Sequence, residues 1–378
     1  MKIAWFRAGA PDMSDPLDDT AALIDALGAG HAIDVFVEAS AHDFVWRDFL
    51  TPWDLCVYEL DNTPAHQFIW AYLLNYPGIV MLKSSGVRNS PGGALSREGR
   101  LDDYMAGFRF GDRVTSAPAL RVPLLASRSV VVTNAALALS LQEAYPEAHV
   151  RSAPASIPNF QLRTSNFELQ APNATAHSPA CGFGVLDSSR LDVVDRACQR
   201  ARDAGEAVDL LAGDSAARIL AACDVVVALT WPPFETPLTA ALAGMAAGKP
   251  VVTLELEATA DWPALDPQTW RPRGLVATDA PIVVTIDPRD EEHSLMLAMR
   301  RLASDATLRD QIGRAAHAWW QTHATPAHAA AAWNQILEEA ASLAPPARPS
   351  DWPKHLGADG TELARAILDE FGIRSNVL

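Results

Sequence analysis

The sequence predicts two doubly wound α/β domains that face each other across a cleft, and three observations carry the prediction. Short β-rich runs alternate with longer helical patterns, the order that favours parallel strands joined by crossover helices. The alternation breaks once, between Pro154 and Pro179, where four prolines and many Ser, Thr and Asn give the composition of a linker. The length of 378 residues exceeds what one hydrophobic core usually organises, so two domains of roughly 150 to 200 residues are expected. The domains are placed at 1–158 and 181–340, joined by 159–180 and followed by an extension at 341–378 that carries a helix.

In chain order, Ile3 to Phe6 reads as the first strand. Asp18 to Leu27 reads as a helix stopped by Gly28 and Gly30, and Ile33 to Val37 as the next strand. Leu55 to Leu60 is a strand, after which Thr63 and Pro64 open a helix, hydroxyl cap first and proline in the first turn. Ile79 to Leu82 is again a strand. From Lys83 to about Arg113 the text is rich in Gly, Ser and Arg without a steady period, which reads as a loop beyond a strand's carboxyl end and suits an acceptor site. Ser129 to Thr133, Ala135 to Ala144 and Ala148 to Ala153 complete the first alternation.

The second alternation runs as strand Gly182 to Leu186, helix Leu191 to Ala204, strand Val208 to Leu211, helix Ala216 to Ala222 and strand Asp224 to Leu229. Helix Thr239 to Ala247 and strand Pro250 to Leu254 follow, then strand Ile282 to Ile286 and helices Leu295 to Leu302 and Thr307 to Thr322. In the extension, Thr361 to Phe371 has Leu363, Ile367, Leu368 and Phe371 on one side of an amphipathic helix.

Hydrophobic residues make up 49% and charged residues 20%, which excludes wholesale disorder. Thirty Lys plus Arg against 46 Asp plus Glu leave a net charge of −16, which disfavours binding to nucleic acid and to anionic lipid. Cys56, Cys181, Cys198 and Cys223 are widely spaced with no C-x-x-C, so buried reduced thiols are expected rather than a disulfide frame or zinc site. The opening Met1 to Phe6 turns polar at Arg7 and lacks a signal-peptide core, and no segment offers 18 apolar residues in a row; a cytoplasmic protein without a transmembrane segment is expected.

The most informative stretch runs from Ala221-Ala222-Cys223-Asp224-Val225 through Trp231-Pro232-Pro233-Phe234-Glu235-Thr236-Pro237 to Ala243-Gly244-Met245-Ala246-Ala247-Gly248-Lys249-Pro250-Val251-Val252. It sets an acidic residue in a loop between strand and helix, where the helix's first amides can meet an anion. This resembles the donor segment of family 4 glycosyltransferases of the GT-B fold, with its "A-A-D-V" strand, Glu-containing loop and helix ending "A-x-G-x-P-V-V". Tyr58-Glu59-Leu60-Asp61-Asn62-Thr63-Pro64-Ala65-His66 is similar to a "Y-x-L-G-N-S-x-x-H" element of one branch, and Leu308-Arg309-Asp310-Gln311-Ile312-Gly313 to the late helix "D-P-x-L-R-x-x-L-G". The resemblance covers residue 1 to about 340 and implies GT-B architecture, two Rossmann-like domains and a retaining transferase. Such an enzyme takes a nucleotide-diphosphate sugar as co-substrate and a saccharide or other hydroxyl acceptor, with no cofactor and no metal.

The same resemblance assigns site residues. Glu235 falls on the first Glu of the Glu-x7-Glu pattern and is implied to hydrogen-bond the donor sugar; Ala243 occupies the second. Arg190 falls on the family's Lys and is the implied partner of the diphosphate, whereas the family's Arg position holds Val185. Thr236 lies where helix amides meet the donor. Asp15 stands where a small glycine usually lets the donor phosphate approach, and Lys83-Ser84 replace a His-Asp pair, so Lys83, Ser84, His66 and Asp15 are placed at the cleft.

Plain roles fit the same residues. Glu235 equally suits a solvated loop carboxylate, Arg190 a surface counter-charge, Lys83 an exposed lysine and His66 a capping or core histidine. The lost positions leave a second reading open, a pseudo-glycosyltransferase acting as a binding or scaffold subunit with a protein partner. An epimerase on two Rossmann-like domains is a third, and the late helices fit it less well.

Overall fold

A computed structural model describes residues 1–84, 87, 102, 106, 120–158, 180–187, 190–213, 215–231, 238–273, 280–357, 367–368 and 370–372. The expected loop after Lys83, most of the linker, Glu235, Thr236 and most of the helix expected at Thr361 to Phe371 therefore lie outside the described residues.

The first sheet is built from β1 (Lys2–Phe6), β2 (Ala32–Phe36), β3 (Leu55–Leu60), β4 (Ile79–Leu82), β5 (Ser129–Val132) and β6 (Val150–Ser152), in the order β2-β1-β3-β4-β5-β6. Every pairing in it is parallel, with Ile3 beside Leu55 and Val80 beside Val130. Strands buried on both faces need near-continuous apolar sequence, and LCVYEL, IVML and SVVV supply it. The crossovers are α1 (Asp19–Leu27), α2 (His42–Leu50), α3 (Ile69–Asn75), α4 (Arg121–Ala126) and α5 (Ala135–Ala144). Caps fit the sequence: Asp18 accepts from the Ala21 N–H, and Asn134 from those of Ala136 and Leu137.

The second sheet holds β7 (Cys181–Gly184), β8 (Val208–Leu211), β9 (Val225–Ala228), β10 (Val251–Leu254), β11 (Ala264–Leu265), β12 (Pro272–Arg273) and β13 (Val283–Ile286) in the order β12-β11-β13-β10-β9-β7-β8. Only the β11–β12 edge pair is antiparallel. Its helices are α6 (Leu191–Asp203), α7 (Ala216–Ala222), α8 (Thr239–Ala246), α9 (Glu291–Ser304) and α10 (Ala306–His323). Two parallel-dominated Rossmann-like sheets in one chain are the architecture expected from the sequence.

Several elements depart from expectation. Thr63 and Pro64 do not open one continuous helix: Pro64–His66 form a 3-10 turn and the α-helix begins at Ile69. Thr63 makes no cap bond because its hydroxyl sits 2.9 Å from His66 Nδ1 instead. Helix α2 escaped detection because only Phe44 of its apolar residues faces the core, and α4 because all six of its residues are buried and show no period. A further helix, α11 (Pro326–Ser342), is capped by the Thr325 side chain with proline in its first turn.

Helix α11 follows the second sheet in sequence but packs on the first. Its Ala329, Trp333, Ile336 and Leu337 join Ile3, Trp5, Leu23 and Leu27 in one buried cluster, and the Trp5 and Trp333 rings lie 5.5 Å apart. The segment beyond it stays there: Arg348 donates to the Leu74 carbonyl at 2.8 Å, Asp351 pairs with Arg121 at 2.9 Å, and Trp352 and Leu356 cover the other face of the sheet. No helix among the described residues is long and apolar enough to cross a membrane. All four cysteines are free and buried, and burial pushes the Cys56 thiol up to about 12.

Close backbone approach explains two glycines. A Cβ on Gly78 would stand 2.1 Å from the Cys56 carbonyl oxygen, and one on Gly313 in α10 would stand 2.2 Å from that of Gly248. Gly313→Ala is therefore expected to cost about 1–3 kcal/mol in urea unfolding through overpacking against backbone. Gly30→Ala, with open space around its Cβ and a φ outside the left-handed region, should stay within about 1 kcal/mol of the parent. Trp333→Ala should cost about 3–5 kcal/mol by opening the cluster under the first sheet.

Candidate functional site

Charged side chains converge at the carboxyl ends of the first sheet's central strands. Arg7 follows β1, Glu59 lies one residue from the end of β3, Lys83 follows β4, and Asp18 and Asp19 stand at the start of α1. Arg7 Nη2 donates to both oxygens of Asp18 at 2.9 and 3.0 Å, and its Nε lies 3.6 Å from Glu59 Oε1. Trp5 Nε1 donates to the same Glu59 oxygen at 2.8 Å. Lys83 Nζ donates at 2.6 Å to Asp19 Oδ1 and at 2.6 Å to Thr20 Oγ1.

Lys83 is thus not the exposed lysine of the plain sequence reading. Its backbone N–H continues the sheet by bonding the Leu60 carbonyl, which turns the side chain over the strand ends, where two buried carboxylates hold it. Burial alone would lower its pKa, but Asp19 and Glu59 outweigh that and raise it. Burial pushes the Glu59 carboxyl up against the pull of Lys83, Arg7 and Trp5. For Asp18 burial also pushes upward, yet hydrogen bonds from Arg7 and from the N–H groups of Asp12 and Ala21 leave it below its ordinary value.

The first turn of α1, where backbone N–H groups favour an anion, is therefore already filled by the chain's own carboxylates. Asp15 sits exposed in the preceding loop and accepts the Leu17 N–H at 2.9 Å, adding a further negative charge. His66 is buried against Thr63, and burial depresses its pKa, the behaviour of a core histidine. Ser84 is buried beside Lys83.

In the second domain Arg190 caps α6 from the left-handed region, φ 56°, which costs a non-glycine residue about 1–2 kcal/mol. Its guanidinium pairs with Glu291, the first residue of α9, and stands 5.6 Å from the centre of the Trp231 ring just beyond β9. It is the first rung of a charge ladder between α6 and α9 that continues with Arg196 and Arg200 on Glu292. Arg190 Nε is buried without a hydrogen-bond partner. Val185 and Ala243, where the resemblance expects an Arg and a Glu, are buried in the hydrophobic core. The sequence reading missed Glu291 and Trp231 on this side and Arg7, Asp18, Asp19 and Glu59 on the other. Their shared signal is position, each at a strand's carboxyl end or a helix's first turn. Among the described residues no group of His, Cys, Asp and Glu is arranged to hold a metal ion.

No family model matches the chain, and no curated protein matches it in sequence. Solved structures do match. HepE of Anabaena, crystallised with UDP-glucose, is 13% identical, with a TM-score of 0.54 over 89% of this chain and 99% of its own. WaaG, a glycosyltransferase involved in lipopolysaccharide biosynthesis, is 13% identical with a TM-score of 0.53 over 88% of this chain and 99% of its own. The catalytic domain of starch synthase IV from Arabidopsis thaliana, bound to ADP and acarbose, is 11% identical with a TM-score of 0.58 over 90% and 99%. The fold is GT-B, shared with glycosyltransferases over most of the chain.

Removing one partner of the buried network leaves uncompensated carboxylates, so Lys83→Met is expected to lose about 3–5 kcal/mol of unfolding free energy at neutral pH. Glu59 has a raised folded-state pKa, so the native state holds its proton more tightly and stability falls as pH rises from the ordinary value of 4.5 through the raised one. Without Lys83 that rise is larger. The deficit of Lys83→Met should therefore shrink when urea unfolding is repeated at mildly acidic pH, and a pH-independent deficit would refute the assignment.

Proposed function

We propose that the chain is a glycosyltransferase of the GT-B type, closest in kind to family 4. In this reading it transfers a hexosyl group from a nucleotide-diphosphate sugar to a saccharide or other hydroxyl acceptor with retention of configuration. The observation that carries the reading is the two-sheet architecture, matched over 89–90% of the chain by proteins crystallised with UDP-glucose or with ADP and acarbose, together with a guanidinium at the carboxyl ends of the second sheet. In the proposed step the bond from the sugar's anomeric carbon to the diphosphate oxygen breaks, and one from that carbon to the acceptor oxygen forms. The acceptor's proton leaves with the nucleoside diphosphate.

Arg190 supplies positive charge where charge grows on the leaving oxygens, and the amides near Thr236 add to it. Glu235 is assigned to the donor sugar's hydroxyls. The Trp231 ring, 5.6 Å from the Arg190 guanidinium, adds a cation–π attraction that helps hold the cation beside β9. Glu291 competes with the donor for Arg190, so binding requires that ion pair to open. No resident cofactor enters this reading.

A second reading, a binding or scaffold subunit without transfer activity, is favoured by one specific observation. The candidate cations on both sheets, Lys83 and Arg190, are already paired with the chain's own carboxylates.

Thermal unfolding with UDP-, ADP- and GDP-sugars separates the two. The transferase reading expects at least one to raise Tm, since a ligand specific to the folded state stabilises it. It further expects Arg190→Ala to abolish the shift and Glu291→Gln to tighten binding severalfold by releasing the guanidinium. No shift with any donor, together with co-elution of a stable partner protein, supports the scaffold reading instead.

A further inference from the structure

Helix α2 is amphipathic in the inverted sense. Phe44 faces the core, whereas Val45, Trp46, Phe49 and Leu50 are 46%, 64%, 79% and 61% exposed. At about 100° per residue these four occupy one continuous arc on the side opposite Phe44. The Trp46 and Phe49 rings stack on each other at 6.0 Å, so the arc is a flat apolar plate rather than scattered side chains. Four such side chains place about 500 Å² of apolar surface in water, the upper end of what a monomer carries.

Charge decides what the plate fits. A helix lying on a bilayer surface needs a belt of Lys and Arg beside its apolar face. The basic residues of α2 are His42 and Arg47, and Arg47 is held by Asp34 at 2.7 Å and lies over Phe36 and Trp53. The neighbouring Lys2 donates to the Thr51 carbonyl and sits 3.9 Å over the Trp53 ring. With a net charge of −16, the chain as a whole is repelled by an anionic membrane. His42 falls within the arc by the same spacing but sits 3.2 Å from Asp43 at its rim, so the arc presents no unpartnered charge to select a different partner and its apolar surface is complementary to itself.

We propose that this face docks a second copy of the chain, α2 against α2 across a two-fold axis. Burying about 500 Å² on each copy brings the contact to about 1,000 Å², the lower bound of a specific interface, from these four side chains alone. Because the attraction is apolar and the net charges of the two copies repel, association strengthens as salt screens the repulsion.

Sedimentation equilibrium of the full chain over roughly 1–100 µM, the range for an interface near that size limit, tests the proposal. The expected result is a monomer–dimer equilibrium that tightens with added salt and weakens about tenfold or more in Trp46→Lys and Phe49→Lys. Since all four native cysteines are buried, Val45→Cys creates an accessible thiol at the plate, and a short bis-maleimide should join it into dimers. Leu139→Cys, at a residue 67% exposed on α5, should remain uncrosslinked under the same conditions. A wild type that stays monomeric at the highest concentration, or a dimer indifferent to both lysine substitutions, overturns it. So does association that weakens with salt. Co-sedimentation with phosphatidylglycerol vesicles that is lost in Phe49→Lys assigns the face to a bilayer and overturns it as well.

Discussion

The structure of the first domain depends on a set of charges largely withdrawn from water. Arg7, Asp18, Asp19, Glu59 and Lys83 bind the ends of β1, β3 and β4 to the first turn of α1. Two cations face three carboxylates, and burial holds the Glu59 carboxyl above its ordinary value against the pull of Lys83, Arg7 and Trp5, with Asp19 adding a smaller upward push. The set also reaches the second domain. The Asp19 carbonyl accepts from Ser156 at 2.8 Å, the adjacent Ile157 is buried in the second domain's core, and Leu17 packs against that same core. The loop after β1, the crossover between domains and the strand ends are thus one mechanical unit.

The second domain uses charge differently. One run of its ion pairs lies between α6 and α9, partly in solvent, and forms a ladder of which Arg190 is the end rung. Partly exposed pairs of this kind contribute little to stability, so releasing one rung costs far less than disturbing the buried set of the first domain. An anion arriving at the second sheet meets a cation it can win, whereas one arriving at α1 meets carboxylates that are structurally committed. This asymmetry agrees with the donor side that the resemblance implies for the second domain.

Much of this fold was legible because its signals are local. Apolar runs such as VVVA and VVTL each report on a few neighbouring residues. Two of the helices that stayed hidden have stripes that tertiary context inverts or fills in: α2 turns its apolar side outward, and α4 is buried all round. The site was half legible for a related reason. A motif marks Arg190, but nothing local marks Glu291, 101 residues away, as its partner. Lys83 read as a surface lysine because the carboxylates that bury it come from α1 and β3.

The return of α11 and of residues 343–357 to the first sheet makes the second domain an insertion within the first. During vectorial synthesis the ribosome therefore releases β1 to β6 long before Trp333 can cover Trp5. The nascent first sheet waits with that face covered by α1 alone, while the later-made second domain already holds all of its own strands. Maturation runs against the order of translation, and a premature stop after α10 would spare the lobe made last while leaving the lobe made first unfinished.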